Sequence, residues 1–108
     1  MNAWIALLVA GIFEIGFTTS MKLSQNFSKV WYLVPFLLCA VASFSCLAYA
    51  MKSIPLGTSY AVWTGIGAAG TAVVGMLFFG DQISLARILF LLLLIGSIIG
   101  LKLVSSDL

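Results

Sequence analysis

The stretch GIFEIGFTTSMK, residues 11–22, holds a single acid, Glu14, and no other charge until its last residue, Lys22. No charged side chain precedes Glu14, and seven uncharged residues separate it from Lys22. How this stretch is read sets the number of times the chain crosses a bilayer. If it crosses, Glu14 lies near mid-depth, and a charge there costs several kcal/mol by insertion scales. The rest of the sequence decides in favour of crossing. Of 108 residues, 63% are hydrophobic and 7% are charged, and the mean hydropathy is +1.23. A soluble domain carries about a quarter charged residues, so this chain has too few polar side chains for a solvated shell.

Counting outward by the gaps between charges gives the remaining spans. Val30 to Met51 is a run of 22 residues without charge, and Ser53 to Gly80 a run of 28. A span needs about 20 apolar residues. In the last segment 14 residues separate Arg87 from Lys102. Both side chains can snorkel their charged ends to an interface, which extends that segment to a full span. The reading is an all-α integral membrane protein with four transmembrane helices at about 4–21, 31–51, 57–79 and 85–104. These form one domain over residues 1–108. A signal peptide would need a basic region before the first apolar run and a small-residue cleavage site after it. The sequence reads against both. Pro35 falls in the first turns of the second helix, Pro55 and Gly57 punctuate the second connection, and Ser84 is the expected N-cap of the last helix.

Composition also excludes several chemistries. The net charge of +2 comes with no basic run, which argues against a nucleic-acid partner. Without His there is neither an imidazole metal site nor an imidazole base. Cys39 and Cys46 are seven apart on one helix face and read as small core residues, because a zinc site needs more ligands at closer spacing. The expectation is therefore no metal, no cofactor and no enzymatic activity.

Three helix faces stand out. On the first helix Ala10, Glu14, Thr18 and Met21 share a face, with Gly11 and Phe17 beside it. On the second, Ser43 is the polar member of a face with Ala40, Leu47 and Ala50. On the third, Gly57, Ala61, Gly65, Ala68, Ala72 and Gly75 form a small-residue stripe suited to close helix contact. Tyr60, Trp63 and Gly67 fall on an adjoining face. Trp4 and Trp31 sit at span ends, as interfacial anchors should; Trp63 lies deeper. Gly65 and Gly67, two residues apart, make the third helix bendable. Gly96 and Gly100 in the last helix have GxxxG spacing, which points to a contact between subunits.

No Lys or Arg lies in mid-span to neutralise Glu14. A proton or a cation brought from outside could discharge it. A group that holds one or the other, but not both, is a proton-coupled exchanger in outline. Two copies of Glu14 facing each other would titrate as a pair.

The sequence resembles the small multidrug resistance family of bacterial four-helix exporters. The resemblance rests on the length, the four spans, Glu14 with Lys22 after it, PLGTSYAVWTGIGA at 55–68 and GLKL at 100–103. It implies antiparallel, dual-topology dimers in the bacterial inner membrane, with protons and small organic cations as partners alongside lipid. It implies a shared site holding both Glu14 side chains, lined by Tyr60, Trp63 and Ser43, and a kink at Gly65 and Gly67. AVWTGIGA and GLKL are similar to the guanidinium-exporter branch, which typically has Trp three residues past the acid; here Phe17 stands there. TTSMK at 18–22 is more similar to the quaternary-ammonium multidrug branch. Guanidinium-type export is the first expectation, and multidrug export of quaternary ammonium and aromatic cations the second. One half of a heterodimeric exporter and a non-transporting membrane assembly subunit also remain open.

Overall fold

The computed structural model describes residues 2–104, in which every regular element is helical. Helix α1 spans Ala3–Leu23 and α2 Leu33–Ala50, the latter entered through a 3-10 turn at Val30–Tyr32. Helix α3 spans Leu56–Phe78 and α4 Leu85–Val104. All four runs, counting Val30–Ala50 as one, are long and apolar enough to cross a membrane. The sequence reading placed these ends within two residues, apart from the 3-10 entry to α2.

Local chemistry explains the helix ends. The Asn2 side chain accepts a hydrogen bond from the Trp4 amide (2.8 Å) and so caps α1. Ser84 caps α4, its Oγ accepting from the Arg87 amide at 3.2 Å. Helix α3 ends where Gly80 turns to φ +73°, a conformation natural to glycine. The α1–α2 connection is less ordinary. Gln25, Asn26 and Phe27 all have positive φ, which side chains with a Cβ resist. Ser24 braces this turn: its Oγ donates to the Met21 carbonyl and accepts from the Phe27 amide.

Lipid is as apolar as leucine, so helices in a bilayer associate through close packing and hydrogen bonds. The core reflects that. Ala6, Ala10 and Ala50 are fully buried, as are the polar Ser43 and Ser59. Helix α1 is central and lies against both α2 and α3. A Cβ built on Gly16 would lie 2.8 Å from Cys39 Sγ, so Cys39 fills the groove that this glycine leaves between α1 and α2. Between α1 and α3 the register advances in parallel. Gly11 meets Ile66, Glu14 meets Gly67, Ile15 meets Gly70 and Thr18 meets Thr71. Helix α4 leans on α3, with Ile98 and Leu94 seated against Gly65, and has no buried residue.

The small-residue stripe read on α3 divides. Gly65 and Gly75 are buried, whereas Gly57, Ala61 and Ala68 are exposed. The tightest approaches to α1 are at Gly67 and Gly70, which lie off that stripe. The molecule measures 45 × 34 × 18 Å. A helix with its side chains is about 10–12 Å across, so one chain is too thin to surround a site on all sides.

Basic side chains are nearly balanced between the two ends. Lys22, Lys29 and Arg87 lie at one end, and Lys52 and Lys102 at the other. Orientation follows the Lys and Arg bias of short loops, and here that bias is weak. We expect the chain to insert in both orientations. A cysteine placed at the C-terminus, after Cys39 and Cys46 are replaced, should be labelled from both sides of the membrane in cells. Labelling from one side alone would point to a partner chain of opposite orientation.

Candidate functional site

The site is a polar seam along the α1–α3 contact. Ala10, Glu14 and Thr18 follow at steps of four on α1, and Trp63, Gly67 and Thr71 at steps of four on α3. In a parallel pair such residues stack as successive rungs.

The first rung is completed by α2. The Trp63 indole Nε1–H donates to Ser43 Oγ (2.9 Å), and Ser43 in turn donates to the Ala10 carbonyl (2.6 Å). Ser43 is fully buried, and Trp63 is 8% exposed. This chain fixes the indole plane and ties three helices together. One lone pair of Ser43 remains unused by these two bonds.

The middle rung is Glu14. Its carboxylate lies over the bare backbone of Gly67, in the space where any Cβ would stand. Oε1 is buried and has no hydrogen-bond partner among the described residues. The ion pair described, Arg87 with Asp81 at 3.8 Å, lies at the loop end and leaves Glu14 out. The third rung is a hydroxyl pair, Thr18 Oγ1 and Thr71 Oγ1, 2.8 Å apart.

An aromatic surface adjoins the first rung. The Tyr60 and Phe44 rings approach Trp63 at 5.6 and 5.7 Å between centroids. Both are more than half exposed, at 56% and 53%. A cation entering between α2 and α3 would meet their faces before reaching Trp63.

The sequence profile of the Small Multidrug Resistance protein family matches residues 2–94. The chain belongs to that family. Its relatives include a protein of Yersinia pseudotuberculosis named Guanidinium exporter, 52% identical over 103 residues, 95% of this chain and 99% of the relative. Proteins of the same name from Salmonella typhimurium and Proteus vulgaris are 44% and 42% identical, covering 94% and 95% of this chain and 96% and 99% of theirs. With four membrane-crossing helices, this member of the small multidrug resistance family is a multi-pass protein of the bacterial inner membrane.

The structure brings Glu14, Ser43, Trp63 and Tyr60 to the α1–α2–α3 junction. It gives other candidate residues different surroundings. Phe17 flanks the Glu14 face on the helix wheel, a position from which its ring could border the same pocket. Its ring instead packs on α2, 5.9 Å from both Phe36 and Phe44, and Phe44 links it to Trp63. Gly11 is a point of close approach: a Cβ there would lie 2.7 Å from Ile66 Cβ. Gly65 serves α4, and Gly67 serves Glu14, within a helix that runs unbroken from Leu56 to Phe78. At Gly96 and Gly100 an added Cβ would meet open space, so within one chain both are unpartnered.

Two residues of the site and one further buried hydroxyl were not legible in the sequence. Thr71 pairs with Thr18, and Phe44 covers Trp63. Thr64 Oγ1, in the same long motif as Trp63, is buried without a hydrogen-bond partner among the described residues. For Thr71 a signal existed, since it stands eight residues past Trp63 and four past Gly67. It needed the α1–α3 register to become visible.

Proposed function

We propose that this chain is a proton-coupled antiporter exporting small organic cations of the guanidinium type. It works as an antiparallel pair of copies in which two Glu14 side chains share one central site. The observation that carries this is Glu14 Oε1, a buried carboxylate oxygen at mid-span with no hydrogen-bond partner among the described residues. A buried polar atom left unpaired is costly, and the bilayer supplies no water to relieve it. A proton relieves it covalently. A planar guanidinium relieves it with two parallel N–H donors to the two carboxylate oxygens. The carboxylate cannot hold both, so loading one releases the other. Ser43 orients Trp63, whose face and that of Tyr60 attract a passing cation.

The names of the relatives support guanidinium as the cargo. Pairing of copies is supported by the thin single chain and by the open α4 face with Gly96 and Gly100. Bending of α3 at Gly65 and Gly67 is proposed as the motion that alternates access. A second reading, export of quaternary ammonium cations, is favoured by the exposed rings of Tyr60 and Phe44. Such cations have no donors and rely on charge and aromatic faces.

The test is transport by this chain alone in proteoliposomes, with an imposed proton gradient. Guanidinium and a hydrophobic tetraalkylammonium are compared. Guanidinium should move against the proton gradient, and the tetraalkylammonium more slowly. Phe17→Trp should raise the ratio of guanidinium to tetraalkylammonium transport by pressing Phe44 onto Trp63 and filling the entry. An unchanged ratio would confine Phe17 to α1–α2 packing. Failure to carry either cation would refute transport by this chain as a homodimer.

A further inference from the structure

Beyond the threonine rung lies a cavity of about 180 Å³, largely apolar in its lining but carrying hydroxyl and charged groups. Its wall includes Thr18, Thr19 and Lys22 from α1, Thr71 from α3, and Phe79 and Asp81 from the α3–α4 connection. Asp81 folds back over Gly75, where a Cβ would lie 2.9 Å from its Cγ. Its amide donates to the Gly75 carbonyl at 3.0 Å. The cavity is thus built by two helix ends and a connection that closes on itself, and it faces the end of the molecule that carries Lys22, Lys29 and Arg87.

The Thr18–Thr71 pair stands between this cavity and Glu14. Thr18 Oγ1 lies 3.0 Å from the carbonyls of both Glu14 and Ile15. A hydroxyl has one proton. When Thr18 donates it to a carbonyl, the 2.8 Å contact requires Thr71 to donate to Thr18. When Thr18 donates to Thr71, the direction reverses. The pair therefore has two hydrogen-bond polarities at nearly the same geometry. Two other contacts of the same interface, Gly11 on Ile66 and Ile15 on Gly70, are apolar and both lie on the N-terminal side of the pair, so the hydroxyl pair is the α1–α3 contact next to the cavity.

We propose that Thr71, through Thr18, forms the proton path between Glu14 and the aqueous cavity at the Lys22–Asp81 end. The inference rests on the proton-coupled reading of Glu14. Residues four apart on a helix are about 5–6 Å apart at their Cβ atoms, a gap one water bridges. In the discharging step the Glu14 carboxyl gives its proton to that water, and the water passes one of its own to Thr18 Oγ1. Thr18 gives its original proton to Thr71, and Thr71 gives its own to water in the cavity. Only O–H bonds form and break, and one proton leaves with no other change. Rotation of the two hydroxyls resets the chain. The charged groups facing the cavity are Lys22 and Asp81, with Arg87 paired to Asp81. They are opposite in sign, so the mouth presents no uniform field against a proton. The organic cation uses the aromatic side between α2 and α3, so Thr71 serves the proton alone.

The experiment compares two transport modes of the full chain in proteoliposomes. One is guanidinium uptake driven by a proton gradient. The other is exchange of labelled for unlabelled guanidinium, which needs no net proton movement. Thr71→Val keeps the side-chain volume and removes the hydroxyl; Thr71→Ala is made beside it in case Val impairs assembly. Proton-driven uptake should fall by about a hundredfold, the lower end of what a positioned proton-transfer group contributes. Guanidinium self-exchange should fall much less, so that the ratio of proton-driven uptake to self-exchange drops at least about tenfold, and Thr71→Ser should restore that ratio. Equal loss in both modes would make Thr71 a packing residue and overturn the path, as would full proton-driven uptake by the Val and Ala variants. Wild-type guanidinium transport with no proton coupling would overturn the proposed antiport itself, and the proton path with it. That failure is visible without any variant.

Discussion

Glu14→Gln is expected to abolish proton-driven cation exchange, by at least about a hundredfold, while the protein still assembles in the membrane. The amide has nearly the shape of the protonated acid and fits the same space over Gly67. It cannot ionise, so it neither releases a proton nor forms a fork with a guanidinium. The folded state should tolerate the change, because no cationic side chain in the described residues depends on Glu14. Removing one partner of a buried ion pair would cost several kcal/mol; here there is no pair to break. Glu14→Asp keeps an ionisable group but withdraws it by one methylene from Gly67. It should retain exchange with a displaced pH profile. The measurements are transport in proteoliposomes and size-exclusion behaviour of the same preparations. Robust exchange by the Gln variant would remove Glu14 from the coupling role and leave the unpaired Oε1 without a function.

The membrane fold was legible because charges are rare and their gaps fix the spans. The same scarcity made Glu14 conspicuous, and the aromatic depth of Trp63 set it apart from Trp4 and Trp31. What stayed hidden was how helices sit against one another. A single helix repeats every 3.6 residues, so periodicity names faces but not the partner each face meets. Phe17 shows this. It stands three residues past Glu14, close enough on the wheel to share a pocket, yet its ring turns to α2 while the carboxylate turns to α3. The small residues of α3 show it too. Spacing joined Gly65 to Gly57 and Ala61, but the structure assigns Gly65 to α4 and gives the α1 contact to Gly67 and Gly70. Ser43 was legible as polar but not as the acceptor for Trp63. That bond joins residues 20 apart in sequence and follows only from the three-helix junction.

Gly67→Ala should disable the exporter without unfolding it. A Cβ on Gly67 would occupy the space held by the Glu14 carboxylate, so that side chain must move. It can, because the atoms in the way are the far end of a flexible chain. Alanine is also the better helix former by about 1 kcal/mol, so α3 itself gains. The loss should therefore fall on function. Displacing a carboxylate by about 1 Å from its working position costs on the order of ten- to a hundredfold in well-oriented sites, and transport should drop by that much. Two other glycines provide the contrast. At Gly70 an added Cβ meets the end of the Ile15 side chain, which can rotate away without disturbing Glu14, so Gly70→Ala should keep most of its transport. At Gly11 it would stand 2.7 Å from Ile66 Cβ, an atom fixed to the backbone. There the helices must part, and Gly11→Ala should lose assembled protein before it loses activity. Measured together, transport per assembled protein separates the cases: low for Gly67→Ala, near wild type for Gly70→Ala, and limited by yield for Gly11→Ala. Full transport by Gly67→Ala would mean that Glu14 does its work away from α3, and the seam between Trp63 and Thr71 would then be a packing interface only.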